Sequence, residues 1–494
     1  MKTTMKILLA IGTLVFLCLA AGCNNNQTRQ PPNIIYILAD DMGYGDVSAC
    51  NPNAAWKTEN IDRIAAEGMM FTDAHSGSAV CTPTRYGVLT GRYAWRTRLK
   101  EGVLWSWDQP LIEPGELTVG VLLQAHGYAT ACIGKWHLGL GWQFHDPEID
   151  SVDFSKPVTG GPTTLGFDSF FGITASLDIP PYVYLEKNRA TMVPTRYTED
   201  HSEMGWWRKG LTGDDFEHER VLPVLTERAV SFIDRQAELE NGLPFFLYFP
   251  LPAPHTPILP TDKFKGRSGT NPYGDFVLQV DHTVGQVLEA LERNGISDET
   301  LVFFTSDNGC SPQADFEGLA QFGHDPSYHF RGAKADIFEG GHRVPFVVRW
   351  PGRIAPGTSS DQVICLTDLM ATVAAIVGHE LEPDQGVDSY SLLPVLLGKS
   401  SETIREATIH HSVNGSFAIR QGEWKLILCP GSGGWSAPKP GSPEEKELPA
   451  FQLYNLETDP GETANLLVQH PDIVSELVSL MEQYLRDGRS TPMD

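Results

Sequence analysis

The chain has 494 residues, 37 Lys+Arg against 62 Asp+Glu, and a formal net charge of −25. This balance excludes nucleic acid as a partner, because phosphate backbones need basic surface, and it disfavours a long polyanion lying across the molecule. A hydrophobic share of 41% and a charged share of 20% are those of a globular protein, and 47 Gly with 35 Pro without a G-x-y period indicate a loop-rich enzyme.

Lys2 and Lys6 precede an apolar stretch over residues 7–21, followed by Ala20-Ala21-Gly22-Cys23 and the polar run Asn24-Asn25-Asn26-Gln27. Residues 1–23 therefore read as a bacterial secretory signal. The small residues before Cys23 resemble a lipoprotein cleavage site with Cys23 as the lipidated residue, although Leu19 stands one place early for the usual pattern. The expectation is an exported protein at the periplasm or cell surface, touching membrane only through a lipid anchor, with residues 24–32 as a tether. Of the eight cysteines two belong to the signal. The other six match no zinc-ligand spacing, and no complete disulfide framework is expected.

Residues 33–39, Asn-Ile-Ile-Tyr-Ile-Leu-Ala, form a continuous apolar run, as in a strand buried on both faces of a parallel sheet. A helix is predicted over 58–67, and another over 115–126, stopped by Gly127. Longer amphipathic helices follow over 219–239 and 276–294, interleaved with apolar strands over 245–249 and 301–305. Alternation of this kind predicts a mostly parallel sheet sandwiched by helices. Near residue 400 the pattern changes. Short strands over 407–411, 416–420, 424–428 and 452–456 predict a small antiparallel sheet, with a last helix over 472–486. The organisation expected is a catalytic domain over 33–400 and a C-terminal α+β subdomain over 401–494.

Ligands in such sheets gather at the carboxyl ends of strands. Two apolar runs end there in Asp40-Asp41 and Asp307-Asn308. Three carboxylates and an amide oxygen form a hard donor set suited to Ca²⁺ or Mg²⁺. In Cys81-Thr82-Pro83-Thr84-Arg85 the proline suits a first helical turn. Cys81 is thereby expected at a helix N-terminus, where anions are favoured, with Arg85 one turn on along the same face.

That segment, continued by Leu89-Thr90-Gly91-Arg92, resembles the activation signature of type I sulfatases within the alkaline phosphatase superfamily. Further blocks match in order: Ala39-Asp40-Asp41-Met42-Gly43, Gly134-Lys135-Trp136-His137, Pro254-His255-Thr256-Pro257, Ser306-Asp307-Asn308-Gly309, and Arg331-Gly332-Ala333-Lys334 running on to Gly340-Gly341-His342. Leu453-Tyr454-Asn455-Leu456 resembles the family's C-terminal motif. The resemblance covers about residues 32–486.

The resemblance implies an alkaline phosphatase-like fold and a sulfuric ester hydrolase. Cys81 would be oxidised to formylglycine by a formylglycine-generating maturation enzyme. Asp40, Asp41, Asp307 and Asn308, with the hydrated residue 81, would hold Ca²⁺. Arg85, Lys135 and Lys334 would neutralise the sulfate oxygens, while His255 and Lys334 protonate the leaving alcohol. A covalent sulfate ester on residue 81 would then be released once His137 deprotonates the second hydroxyl. The expected substrate is a sulfated mono- or oligosaccharide attacked from its end. Its sugar would be read by His342, which follows two glycines, and by Trp206 and Trp207 in a polar insertion. His410 and His411 read as packing or surface residues. Two alternatives stand beside this reading. A phosphonate or phosphodiester hydrolase can share C-x-P-x-R, and a non-catalytic glycan-binding lipoprotein would need a missing catalytic residue, of which there is none.

Overall fold

A computed structural model describes residues 31–145, 152–239 and 242–492; the signal segment and Cys23 lie outside the described residues. Pro32–Asp494 forms one compact unit. At its centre is a ten-stranded sheet. Its strands lie in the order Thr358–Ser360, Met69–Phe71, Phe346–Arg349, Thr300–Ser306, Asn33–Asp40, Phe245–Pro254, Ala129–Lys135, Ser169–Ile173, Tyr184–Glu186 and Arg189–Ala190. The five central strands, from Thr300–Ser306 to Ser169–Ile173, are parallel. Phe346–Arg349 and Tyr184–Glu186 join them antiparallel.

Burial on both faces explains the apolar runs. Along Asn33–Asp40, Ile34, Tyr36 and Leu38 enter one core while Ile35, Ile37 and Ala39 enter the other. Each large side chain so buried contributes about 1.5–3 kcal/mol. One core is closed by residues of Cys81–Thr90, Val119–Ala125 and Leu369–Val377, the other by residues of Glu59–Ala66, Val221–Glu238 and Pro272–Arg293. The helix expected over 115–126 begins only at Val119, because Thr118 caps it by accepting from the Val121 amide at 3.1 Å. The helix expected from 276 begins a turn earlier, where Asn271 accepts from the Gly274 amide and Pro272 occupies the first turn.

The C-terminal sheet is antiparallel through Thr408–His411, Phe417–Gln421, Trp424–Ile427 and Gln452–Asn455. The helix Pro471–Asp487 packs Leu477, Met481 and Tyr484 against Ile409, Ile419, Leu426 and Leu453. Buried charges fasten this sheet to the rest. Lys425 Nζ reaches Glu339 at 3.0 Å and Glu462 at 2.8 Å, and Arg420 forks onto Asp73 at 2.6 and 2.7 Å. Against this network lie three buried histidines. His342 stacks on His410 with ring centroids 3.9 Å apart, and its Nδ1 is 3.0 Å from that of His75. His410 and His411 are packing residues here, both buried. The six described cysteines are free thiols.

Candidate active site

The carboxyl ends of the five parallel strands converge, and each delivers part of one constellation. Asn33–Asp40 delivers Asp40 and then Asp41; Thr300–Ser306 leads into Asp307 and Asn308; Ala129–Lys135 ends on Lys135; Phe245–Pro254 leads into His255; Ser169–Ile173 leads to Asp178. Two residues at these strand ends, Asp41 and the His137 that follows Lys135, require unusual backbone. Both adopt left-handed φ, 64° and 57°, a strained choice for residues with a Cβ. Gly134 has φ 140°, and a Cβ there would lie 1.9 Å from the Pro250 carbonyl oxygen, so glycine lets the strands close up just before Lys135.

Cys81 is the first residue of the helix Cys81–Thr90, whose N-cap Val80 offers no side-chain bond, so the first-turn amides stay available to an anion. Its sulfur lies within 4.8 Å of ligand atoms of Asp40, Asp41 and His255, which are likewise within that distance of one another. Arg85, fully buried one turn later, donates from Nε and Nη2 to Asp307 Oδ2 at 3.0 and 2.7 Å and from Nη1 to the Lys135 carbonyl at 3.0 Å. Lys135 Nζ lies 2.7 Å from Asp40, and Lys334 Nζ 2.7 Å from Asp41. Asn308 Nδ2 donates to Asp41 at 2.7 Å. Three buried cations thus meet three buried carboxylates.

The electrostatics assign distinct states. Burial opposes the charge of Asp40, but Lys135, His255, Arg85 and Lys334 outweigh it and hold this carboxyl well below its usual range. Asp307 is pushed up to about 7 by burial and by the neighbouring Asp40 charge, despite Arg85. Burial, reinforced by Lys135 and Arg85, drives His137 well below its ordinary value. Its Nε2 donates to the Leu104 carbonyl at 2.8 Å, so Nδ1 carries a lone pair, buried and without a partner among the described residues. Burial also disfavours charge on His255, yet Asp41 at 3.5 Å raises it overall. Its Nδ1 donates to the Thr256 carbonyl at 2.6 Å. A neutral base and a histidine favoured toward its charged form therefore share one site.

A divalent cation suits this donor set. Among the described residues Asp40 Oδ1 and Asn308 Oδ1 are buried oxygens without a hydrogen-bond partner, and a further carboxylate, Asp307, is raised by burial and by the Asp40 charge. Orphaned hard oxygens beside crowded carboxylates are what Ca²⁺ would satisfy.

Of three residues expected at the sugar, two stand otherwise. His342 is a correction: it is fully buried among His75, His410 and Lys425 and has no surface to offer a ligand. Gly340 and Gly341 do mark a close approach, but to the chain itself, since a Cβ on Gly340 would lie 2.3 Å from the Gly332 carbonyl oxygen. Trp207 stacks between His201 and His218 and donates to the Glu199 carbonyl, which is packing of the insertion. Trp206 lies under the Arg208 guanidinium at 4.3 Å. Residues not expected from sequence also border the centre. Asp178 Oδ1 is 3.9 Å from His255 Nδ1, and the half-exposed Trp435 ring lies 5.9 Å from Lys334 Nζ. Neither carries a local signature that would have marked it.

Comparison with known proteins agrees with this arrangement. The family described as Sulfatase matches residues 32–379, and one described as N-sulphoglucosamine sulphohydrolase, C-terminal, matches residues 332–433. An N-acetylgalactosamine-6-O-sulfatase of Bacteroides thetaiotaomicron is 34% identical over 94% of this chain and 96% of its own. Human arylsulfatase A is 33% identical over 95% of this chain and 89% of its own. A solved structure from work on glycosaminoglycan metabolism by Bacteroides thetaiotaomicron superposes with a TM-score of 0.79 at 33% identity, covering 92% of this chain and 99% of that one. With a family match across most of its length and such relatives across nearly all of it, the chain belongs to the sulfatases, hydrolases of sulfate esters.

Proposed function

We propose that the protein is an exported, exo-acting carbohydrate sulfatase that works with Ca²⁺ and with Cys81 converted to formylglycine. The observation that carries this is Cys81 at an uncapped helix N-terminus, within 4.8 Å of ligand atoms of Asp40, Asp41 and His255. Asp40, Asp41, Asp307 and Asn308 would hold the ion. When bound, Ca²⁺ supplies a Lewis acid that draws charge from a sulfate oxygen. A hydrated formylglycine supplies two hydroxyls on one carbon, one to attack and one to allow release.

The chain's own groups do the rest. Arg85 fixes Asp307 through two bonds to its Oδ2 and so orients this carboxylate to accept the proton of the attacking hydroxyl. Lys135 and Lys334, paired with Asp40 and Asp41, would have charge to offer sulfate oxygens if those carboxylates held a divalent ion. His255, whose Nδ1 donates to the Thr256 carbonyl and whose Nε2 faces Asp41 at 3.5 Å, is oriented to give a proton to a departing alkoxide. His137, kept neutral with its Nδ1 lone pair free, takes a proton when product leaves.

A carbohydrate substrate is supported by the amino-sugar sulfatase among the relatives. The net charge of −25 favours a terminal residue over a long polyanion. Export rests on the signal-like residues 1–23, and Cys23→Ala is expected to move the protein from the membrane fraction to the soluble one. Maturation requires a formylglycine-generating enzyme as partner. The test is sulfate release from defined sulfated mono- and disaccharides beside an aryl sulfate and an aryl phosphodiester. Preferential turnover of the phosphodiester would overturn the proposal in favour of a phosphodiester hydrolase. No release from any sulfate ester by protein carrying formylglycine would favour a glycan-binding role.

A further inference from the structure

We propose that Arg208, beside Trp105 and Trp206, is a specificity-determining residue that donates hydrogen bonds to an uncharged oxygen of the sulfated sugar, with Trp105 as the face on which the ring stacks. This rests on the sulfatase reading and adds to it the part of the protein that recognises the sugar.

Four observations converge. The first is position. Arg208 pairs through Nη1 with the Asp178 carboxylate, and its backbone amide donates to the Asp178 carbonyl at 3.2 Å. Asp178 in turn lies 3.9 Å from His255, which lies 3.5 Å from Asp41. Arg208 is therefore two side chains from the group assigned to protonate the leaving alcohol. The second is geometry. Its guanidinium carbon stands 4.3 Å from the Trp206 ring centroid and 5.0 Å from that of Trp105. Two indoles within cation–π distance and the Asp178 pair restrict the guanidinium, so less freedom is lost when it binds.

The third is donor accounting. A guanidinium has five N–H groups. Nη1 serves Asp178, while Nε and Nη2 make no hydrogen bond among the described residues. The side chain is 37% exposed and the neighbouring Trp105 is 48% exposed, so free donors and part of the adjacent indole are open to solvent. The fourth is charge. Asp178 pairs with the charge of Arg208, and in the same insertion Lys209 pairs with Glu199 and Arg196 with Asp214, so no cation of this pair set is left over for a second anion. A second anionic group would gain little here, whereas a hydroxyl or amide oxygen needs only donors.

Trp105 is also tied to the chemistry through its neighbours. The Leu104 carbonyl accepts from His137, and Ser106 Oγ lies 3.1 Å from Thr174 Oγ1. A ring stacked on Trp105 would be registered against the loop that orients His137.

The test uses the matured, calcium-loaded enzyme. Arg208→Gln keeps a donor for Asp178 and removes the outward-facing ones; Trp105→Ala removes the stacking face. kcat/KM is measured on an aryl sulfate and on whichever sulfated monosaccharide the wild type turns over best. Expected is a loss of about 10²-fold or more on the saccharide with Arg208→Gln, mostly in KM, against less than about threefold on the aryl sulfate. Trp105→Ala should show the same split. Equal losses on both substrates, or none on the saccharide, would overturn the proposal while leaving the sulfatase reading intact. An Arg208-dependent preference for a sugar with a neighbouring carboxylate or second sulfate would overturn the claim of an uncharged acceptor. Failure of the matured wild type to release sulfate from any ester would instead remove the reading on which the proposal rests.

Discussion

Replacing Arg85 by Lys keeps the charge and removes the fork. Arg85 has no solvent exposure and makes two bonds to Asp307 Oδ2 and one to the Lys135 carbonyl, with Asp40 Oδ1 3.4 Å away. A single ammonium can serve Asp307 but not also the carbonyl, which would be left buried and unsatisfied at a cost of about 1–3 kcal/mol. Arg85→Met removes the charge too and leaves Asp307 uncompensated beside Asp40, for which a loss of about 3–5 kcal/mol is expected. The larger penalty carries a pH signature. Asp307 is already pushed up to about 7, and without Arg85 its folded-state value rises further above the unfolded one. A raised acid favours the fold when protonated, so the Met penalty should be greatest at pH 8.5 and shrink by pH 5.5. Denaturant unfolding of both variants at these two pH values, with a chelator present to remove bound cations, checks this. A Lys variant as stable as wild type would refute the reasoning, as would a Met variant no worse than Lys at pH 8.5.

Treatment with a strong chelator should abolish sulfate release, and Ca²⁺ should restore it; restoration by Zn²⁺ alone would contradict an oxygen donor set. Asn308→Ala should raise the Ca²⁺ concentration needed for half-maximal activity, because it removes an orphaned oxygen from that set. Away from the site, buried Asp281 accepts from the amides of Asn60 and Ile61, each at 2.9 Å, and desolvation still pushes it up to about 6. Its protonated form is the one the fold favours, so that stabilisation is present in acid and lost as pH rises through about 6. Asp281→Asn should therefore gain stability relative to wild type between pH 4 and pH 8, by up to about 3 kcal/mol, read from unfolding midpoints at both.

The centre of the site was legible because its residues sit at strand ends and in a helix start that local sequence announces. Asp40, Lys135 and Asp307 close or follow buried strands, and Cys81 precedes a proline in a first turn. Strands such as Met69–Phe71 and Ser169–Ile173 were not legible, being too short for a periodic signal. His342 was misread for a physical reason. Paired glycines do announce close approach, but not whether ligand or backbone does the approaching. The asparagine–proline pair at 271–272 was a readable helix start that the amphipathic pattern from 276 overshadowed. Arg208 and Asp178, like Lys425 with Glu339 and Glu462, are partners distant in sequence, and only the folded chain brings them together.

The central claim is that position 81 acts as formylglycine, and mass spectrometry of the Cys81-containing peptide from active enzyme tests it most directly, read beside sulfate release from the same preparation. The account predicts that the peptide has lost its sulfur, that its aldehyde reacts with a hydrazide, and that activity rises in proportion to the converted fraction. Full sulfatase activity from protein in which Cys81 is entirely unmodified would contradict it.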